Sequence, residues 1–311
     1  LPSLYIGSVP KAIPSGSSST MHANFFLIGC CFGSFINVCA TRIPLGKSVI
    51  HPPSSCPQCN VRIKWFHNLP IFSWLMLRGK AMCCNFEIPF RYIGVEFLTA
   101  LLFGFFFYQY SLFGSESRLL VSLAFGFLMI VIIVIDLETM IIPDRFSMGG
   151  ALLGLVCSAY FPLLHGFSSD PLFPERLSSV MTSLLGMIIS SSVLFWIGAF
   201  AEKLMKQEAL GQGDIKLLGC VGAFCGWEGG LFTIFAGALL GSIIMIPLML
   251  VSKYLKLNKK NRRVEVGWGL EIPFGPFLGM AALAYFLGLH LYVDTWFEKT
   301  RLNFIHLFSF V

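Results

Sequence analysis

Charge is what this sequence is short of. Asp, Glu, Lys and Arg together make up 12% of its 311 residues, while 56% are hydrophobic, and the mean hydropathy is +0.76. A soluble domain carries about 25% charged residues, so there is too little polar surface here to clothe a water-soluble body of this size. Other absences narrow the class further. The period-two alternation of a membrane barrel is missing; the continuous Leu/Ile/Phe/Val runs fit helices, which satisfy their own backbone in lipid. No H-E-x-x-H and no G-x-S-x-G occur, which removes the commonest metalloprotease and serine-hydrolase signatures. Hydropathy shows no internal repeat of the kind many transporters carry. What remains is an all-α, polytopic membrane protein.

Eight candidate spans are readable, starting near Phe25, Ile93, Leu119, Phe146, Val180, Ile215, Leu231 and Pro273. Most approach the roughly 20 residues a bilayer requires; the sixth, Ile215 to about Cys225, is short and rich in glycine. The basic residues gather in the odd-numbered connections, the even ones holding only Arg118 and Arg176. The first holds Arg42, Lys47, Arg62, Lys64, Arg78, Lys80 and Arg91 against one acid, Glu87. The fifth holds Lys203 and Lys206, and the seventh Lys253, Lys256, Lys259, Lys260, Arg262 and Arg263. Positive loops stay in the cytoplasm, so the odd connections are expected there and both chain ends outside. Topology accounts for the net charge of +6, and no nucleic-acid partner is implied. The expected organisation is a flexible segment over 1–24, a first span over 25–43, a cytoplasmic loop domain over 44–92, a membrane core over 93–293 and a tail over 294–311. Membrane lipid is the surrounding partner.

Of ten cysteines, Cys30, Cys31, Cys39, Cys157, Cys220 and Cys225 lie within spans, where small apolar packing is the ordinary role. The other four lie in the first loop. Cys56 and Cys59 form a C-x-x-C turn in "SCPQC", and Cys83 and Cys84 follow in "KAMCCNF". In a reducing compartment such pairs point to a metal before a disulfide, and zinc takes four thiolates in a tetrahedron. Adjacent cysteines ordinarily point apart, however, so two readings stand: a zinc site, or reduced thiols in a loop packed on Trp65, Phe66 and Trp74.

Ionisable side chains at membrane depth are costly and mark functional sites by default. In "IVIIVIDLETMIIPDRFSMGG" Asp136 ends the third span, with Glu138 and Asp144 following before the fourth. In "ALGQGDIKLLGCVGAF" Asp214 opens the sixth. By the topology above, Asp136 and Asp214 belong to different helix ends at one membrane face, where they can meet. Two carboxylates at close range share a proton, one acting as base on water and the other as acid. Gly211 and Gly213 permit close backbone approach beside them. The plainer reading makes Asp214 a helix cap and Lys216 a neutralising or snorkelling cation. Asn37, in the first span, suits a hydrogen bond between helices.

These segments resemble the bacterial type IV prepilin peptidases, a family of G-x-G-D aspartyl proteases. "GCCFGSFINVCATRIP" is similar to that family's first span. "CPQC" with "IKWFHNLPIFSWLMLRGKAMCCNFEIPFRYIGVEFLTA" is similar to its cytoplasmic loop, and "IDLETMIIPD" and "GQGDIKLLG" to its catalytic segments. The resemblance covers roughly residues 25 to 290. It implies an inner-membrane endopeptidase that cuts type IV prepilins or type II secretion pseudopilins after a glycine at the cytoplasmic face. Asp136 and Asp214 match its catalytic positions. Glu138 and Asp144 match neighbouring acidic positions suited to structure or to a basic leader. The resemblance also implies N-methylation of the new N-terminus with S-adenosylmethionine, with Gly79 and Lys80 matching positions tied to that activity. One departure is visible: alignment through "IPFRY" places Ala81 where the family usually has a cysteine, with Cys84 on the next. Two other classes remain as comparators: a proton-coupled transporter using the aspartates as relays, and a membrane scaffold presenting the Cys loop.

Overall fold

The computed structural model describes residues 15–113, 115–167, 173–206, 210–258 and 273–308. Nine α-helices are found among them: α1 (Ser15–Arg42), α2 (Phe72–Met76), α3 (Phe90–Phe113), α4 (Glu116–Thr139), α5 (Asp144–Tyr160), α6 (Phe173–Met205), α7 (Gln212–Asn258), α8 (Gly275–Ala284) and α9 (His290–Phe308). The only β pairing among the described residues is two isolated bridges, Ser55 with Arg62 and Lys80 with Glu87. The chain divides into two compact units, Leu1–Val134 and Ile135–Val311, the division falling inside α4.

Among the described residues, six stretches are long and apolar enough to cross a membrane: Thr20–Arg42, Phe90–Leu112, Glu116–Thr139, Pro174–Met205, Gln212–Val251 and Gly275–His306. Two features separate this number from the eight expected. α5 has 17 residues, just under one crossing. α7 is interrupted at Gly226, whose φ of 70° and ψ of −177° are not helical. The chain reverses there: methyl groups added at Gly222 and at Gly230 would both run into Ser190, whereas those two glycines would stand about 12 Å apart along a straight helix. Glycine permits this left-handed dihedral at no steric cost.

In the first unit, glycines on α1 let it lie directly on α3. A methyl at Gly29 would stand 2.6 Å from Ala100 Cα, and one at Gly33 2.5 Å from Glu96 Cα. Close approach through small residues is how helices gain dispersion contact in lipid. Phe25 stacks on Phe107 with centroids 4.3 Å apart, and Asn37 donates to the Tyr92 carbonyl at 3.0 Å, the interhelical bond its position suggests. The buried Glu96 carboxylate accepts the Ile71 N–H at 2.7 Å, tying the loop domain to α3.

In the second unit α6 and α7 form a seam of small residues. Gly186 and Gly222 face each other backbone to backbone, and the buried Ser183 hydroxyl donates to the Ala223 carbonyl at 2.7 Å. The outward side of α6 is apolar and open, with Phe195, Trp196 and Phe200 half or more exposed, a surface suited to lipid. Two boundaries differ from expectation. α1 begins at Ser15, ahead of Phe25, although Gly16 and the serines after it are weak helix formers. The tail expected over 294–311 is helical as far as Phe308, within α9, which follows a π-helical segment at Tyr285–Leu289. The N-terminal expectation for residues 1–14, and most of the basic run at 258–266, lie outside the described residues.

Candidate active site and thiol cluster

Asp136 occupies the last turn of α4, one turn before the chain leaves through Met140, a residue in the left-handed region at φ 54°. Asp214 is the third residue of α7. Its own N–H bonds back to the Gly211 carbonyl at 3.1 Å, and its carboxylate accepts the Gly211 N–H. Asp214 therefore stands inside the first turn and not at the N-cap position that the plainer reading gave it, although a carboxylate there also suits a helix start. A place at a helix start does not explain the burial. Asp136 is 4% exposed and Asp214 8%, and the charge of Asp136 acts on Asp214.

The space between the two aspartates is defined by Ile142 and two glycines. A methyl at Gly213, next to Asp214, would stand 3.0 Å from Ile142 Cβ. One at Gly275 would stand 2.5 Å from Asp136 Oδ2 and 3.0 Å from Ile142 Cδ1. The Gly275 N–H donates to the Asp136 carboxylate. α4, α5, α7 and α8 therefore converge here, each by one end. Gly211 is roomier: a methyl there would meet only Asp214 Oδ2, at 3.3 Å. Just outside, Lys216 Nζ pairs with Asp144 Oδ1 at 2.7 Å, both side chains over a third exposed. Glu138 is half-buried on α4, but two residues along a helix is a rotation of about 200°, which takes it off the Asp136 face.

Gly275 and Ile142 were not among the residues singled out from sequence. The trace they leave is "IPFGPFLG", a glycine and a proline at the first two positions of an apolar helix. Proline suits a helix start, and only the fold reveals why glycine precedes it.

The four loop cysteines come together. Their sulfurs all lie within 4.8 Å of one another, with Cys59 and Cys83 at 3.2 Å, Cys56 and Cys84 at 3.5 Å, and Cys83 and Cys84 at 3.8 Å. Tetrahedral Zn–S bonds of about 2.3 Å require sulfurs about 3.8 Å apart, so the cluster fits a zinc ion closely. Two similar turns build it. Cys56 N–H bonds to Val61 O and Asn60 N–H returns to Cys56 O; Ala81 N–H bonds to Phe86 O and Asn85 N–H returns to Ala81 O. Asn60 and Asn85 each adopt positive φ, 57° and 54°. Ala81 thus occupies the place of Cys56 in the second turn and Cys84 that of Cys59, while Cys83 delivers the fourth sulfur from between them. Backbone N–H groups of Cys59 and Gln58 hold the Cys56 thiol down to about 6. The close contact with the Cys59 thiol, and then burial, push the Cys83 thiol up to about 12.

Gly79 and Lys80 lie beside this cluster. Gly79 has φ 72° and packs on the Trp74 indole, which a methyl there would meet at 3.0 Å. Lys80 is paired through its backbone with Glu87.

Comparison with known proteins follows this same division. Residues 27–110 match the Bacterial Peptidase A24 N-terminal domain and residues 123–246 the Type IV leader peptidase family. No solved structure matches. A protein of Myxococcus xanthus named prepilin leader peptidase/N-methyltransferase is 31% identical over 240 residues, covering 77% of this chain and 67% of the relative. Proteins of the same name are 34% identical in Klebsiella pneumoniae, over 65% of this chain and 84% of the relative, and 30% in Aeromonas hydrophila, over 82% and 87%. With both matched regions in the order and place of the two motif-bearing parts of the structure, the chain belongs to the type IV leader peptidase family.

Proposed function

We propose that this chain is an aspartyl endopeptidase of the inner membrane. It removes the leader of type IV prepilins or type II secretion pseudopilins after a glycine at the cytoplasmic face, and it then methylates the new N-terminus. The observation that carries the proteolytic reading is the burial of Asp136 and Asp214, from two helix ends, around one small space edged by Gly213 and Gly275. Such a pair holds one proton between them. The ionised carboxylate takes a proton from water as the water oxygen adds to the scissile carbonyl carbon. The protonated carboxylate hydrogen-bonds the carbonyl oxygen, and the C–N bond breaks as the leaving amine gains a proton. The titration belongs to the pair and not to either residue. Glu138, Asp144 and Lys216 are supporting groups at the rim, with Asp144 and the leader's basic residues of opposite charge. A proton relay would put the acids near the bilayer midplane; here both sit in terminal turns, which supports the protease over the transporter.

Cys56, Cys59, Cys83 and Cys84 would hold zinc as a structural ion, stiffening the loop that carries Gly79 and Lys80. Methyl transfer rests on the relatives' names and on those two residues. The turn is a firm support and not in itself a pocket for the donor, so S-adenosylmethionine enters only as the source of the methyl group.

The test is a mass-spectrometric digest of prepilin-like peptides by the purified protein beside Asp136→Asn and Asp214→Asn. Loss of a general acid or base costs about 10²- to 10⁴-fold. Cleavage after glycine by the wild type, lost in both folded variants, is the expected result; undiminished cleavage by either variant refutes the pair.

A further inference from the structure

The N-terminus of α8 has a feature that packing alone does not require. The first amides of a helix have no partner within it. Phe277 and Leu278 turn theirs back to the Phe274 carbonyl at 3.1 and 3.3 Å, and Pro276 has none to place. The Gly275 amide is given to Asp136, across from another helix. The same residue is pressed so close that a methyl in place of its hydrogen would stand 2.5 Å from Asp136 Oδ2 and 3.1 Å from Asp136 Cγ. Donor and steric stop act on one carboxylate from one residue.

We propose that Gly275 is a positioning residue for the peptidase reaction: its amide fixes the rotation of the Asp136 carboxylate, and its missing side chain leaves Oδ2 open toward the reacting water. This rests on the assignment of Asp136 to the catalytic pair. Gly213 makes a useful contrast. It too is crowded, but the three atoms nearest a methyl there all belong to the Ile142 side chain, at 3.0, 3.4 and 3.5 Å, so packing on Ile142 sets its need for glycine. Ile142 also touches the Gly275 position, through Cδ1 at 3.0 Å. Removing the Ile142 side chain altogether, as Ile142→Gly, therefore separates the two roles, since alanine would keep the Cβ that a methyl at Gly213 meets.

Gly275→Ala obliges the carboxylate to retreat by roughly 0.5–1 Å, and a displacement of about 1 Å in a reacting group lowers turnover about 100-fold. The experiment measures kcat and KM for peptide cleavage in Gly275→Ala and Gly213→Ala, each alone and with Ile142→Gly, relative to Ile142→Gly itself. Gly149→Ala, where a methyl meets nothing within 4 Å, serves as the control. The expected result is a fall in kcat of about 100-fold for Gly275→Ala with KM within twofold, not restored by Ile142→Gly, while Gly213→Ala is restored. Restoration of Gly275→Ala by Ile142→Gly, or full activity of Gly275→Ala alone, overturns the proposal. Asp136→Asn run alongside keeps the two ideas apart: if it cleaves normally, the catalytic pair is wrong; if it is dead while Gly275→Ala is fully active, only the positioning role is wrong. Should Gly275→Ala be too unstable to assay, thermal melting of Gly275→Ala/Asp136→Ala against Asp136→Ala decides. Removing the carboxylate relieves the clash, so the double variant is expected to melt with Asp136→Ala; a double variant as unstable as Gly275→Ala overturns the proposal.

Discussion

Replacing Gly222 by alanine is the sharpest test of how the second unit is held together. At this position the backbone carbonyl of Gly186 on α6 sits where a methyl would go, and its carbonyl carbon is 2.5 Å from that point. Carbonyl groups in a helix cannot turn aside as a side chain can, so the two helices must part by most of an ångström. A radial gap of about 0.5–1 Å forfeits a quarter to a half of each dispersion contact along the seam, and overfilling a packed interior typically costs about 1–3 kcal/mol. Against this stands a gain of about 1 kcal/mol from alanine's higher helix propensity. The bond from Ser183 to the Ala223 carbonyl, one residue on, is stretched in the same movement and adds about 1 kcal/mol to the loss. The net expectation is destabilisation of about 1–3 kcal/mol, together with reduced cleavage, because Asp214 lies about 12 Å along the same helix. Gly219→Ala is the matched control: a methyl there meets Met187 Cγ at an ordinary 3.5 Å and keeps the propensity gain. Thermal melting in detergent, with cleavage measured on the same samples, gives both readouts. Equal effects of Gly222→Ala and Gly219→Ala would refute the argument that backbone contact sets the seam.

Two further outcomes follow from groups outside the spans. Burial pushes His165 down to about 4, against an ordinary value of about 6.5. The unfolded chain therefore takes up this proton first, and stability is lost as pH falls from about 6.5 towards 4, by about 3 kcal/mol in all at 1.36 kcal/mol per pH unit. His165→Asn should flatten the drop in melting temperature between pH 7 and 5, and an unchanged slope would contradict it. The thiol cluster should bind one zinc or cadmium ion per chain, read by cadmium–thiolate absorbance. Either Cys59→Ser or Cys83→Ser should lower the affinity at least tenfold, and an unchanged affinity in Cys83→Ser would mean that this sulfur is not a ligand.

The aspartates were legible because an ion inside an apolar run stands out without any knowledge of the fold. Helical class and the break between Cys225 and Leu231 were legible for a similar reason, since glycines between two apolar runs are a local signal. Gly275 was not, because its importance lies in what Asp136 does 139 positions away, and a glycine before a proline at a helix start has an adequate local explanation. Sequence also left the adjacent pair Cys83–Cys84 undecided. Neighbouring side chains diverge along a regular backbone, and only the tight turn between Ala81 and Phe86, with Asn85 at positive φ, brings both sulfurs to the same side. α1's early start was missed because hydropathy marks where lipid begins, not where a helix does.

The reversal at Gly226 has a consequence for the solvent. The arm of α7 that begins next to Asp214 runs only from Gln212 to Cys225, about 21 Å at 1.5 Å per residue, whereas the hydrocarbon slab is about 30 Å deep. A stub of that height is about 9 Å shorter than the slab, and its residues 217–226 are buried among other helices, so protein covers it where lipid would otherwise lie. Peptide hydrolysis consumes a water molecule at every turnover, and Asp214 stands only two residues from the exposed Gln212, which keeps short the path that water has to travel.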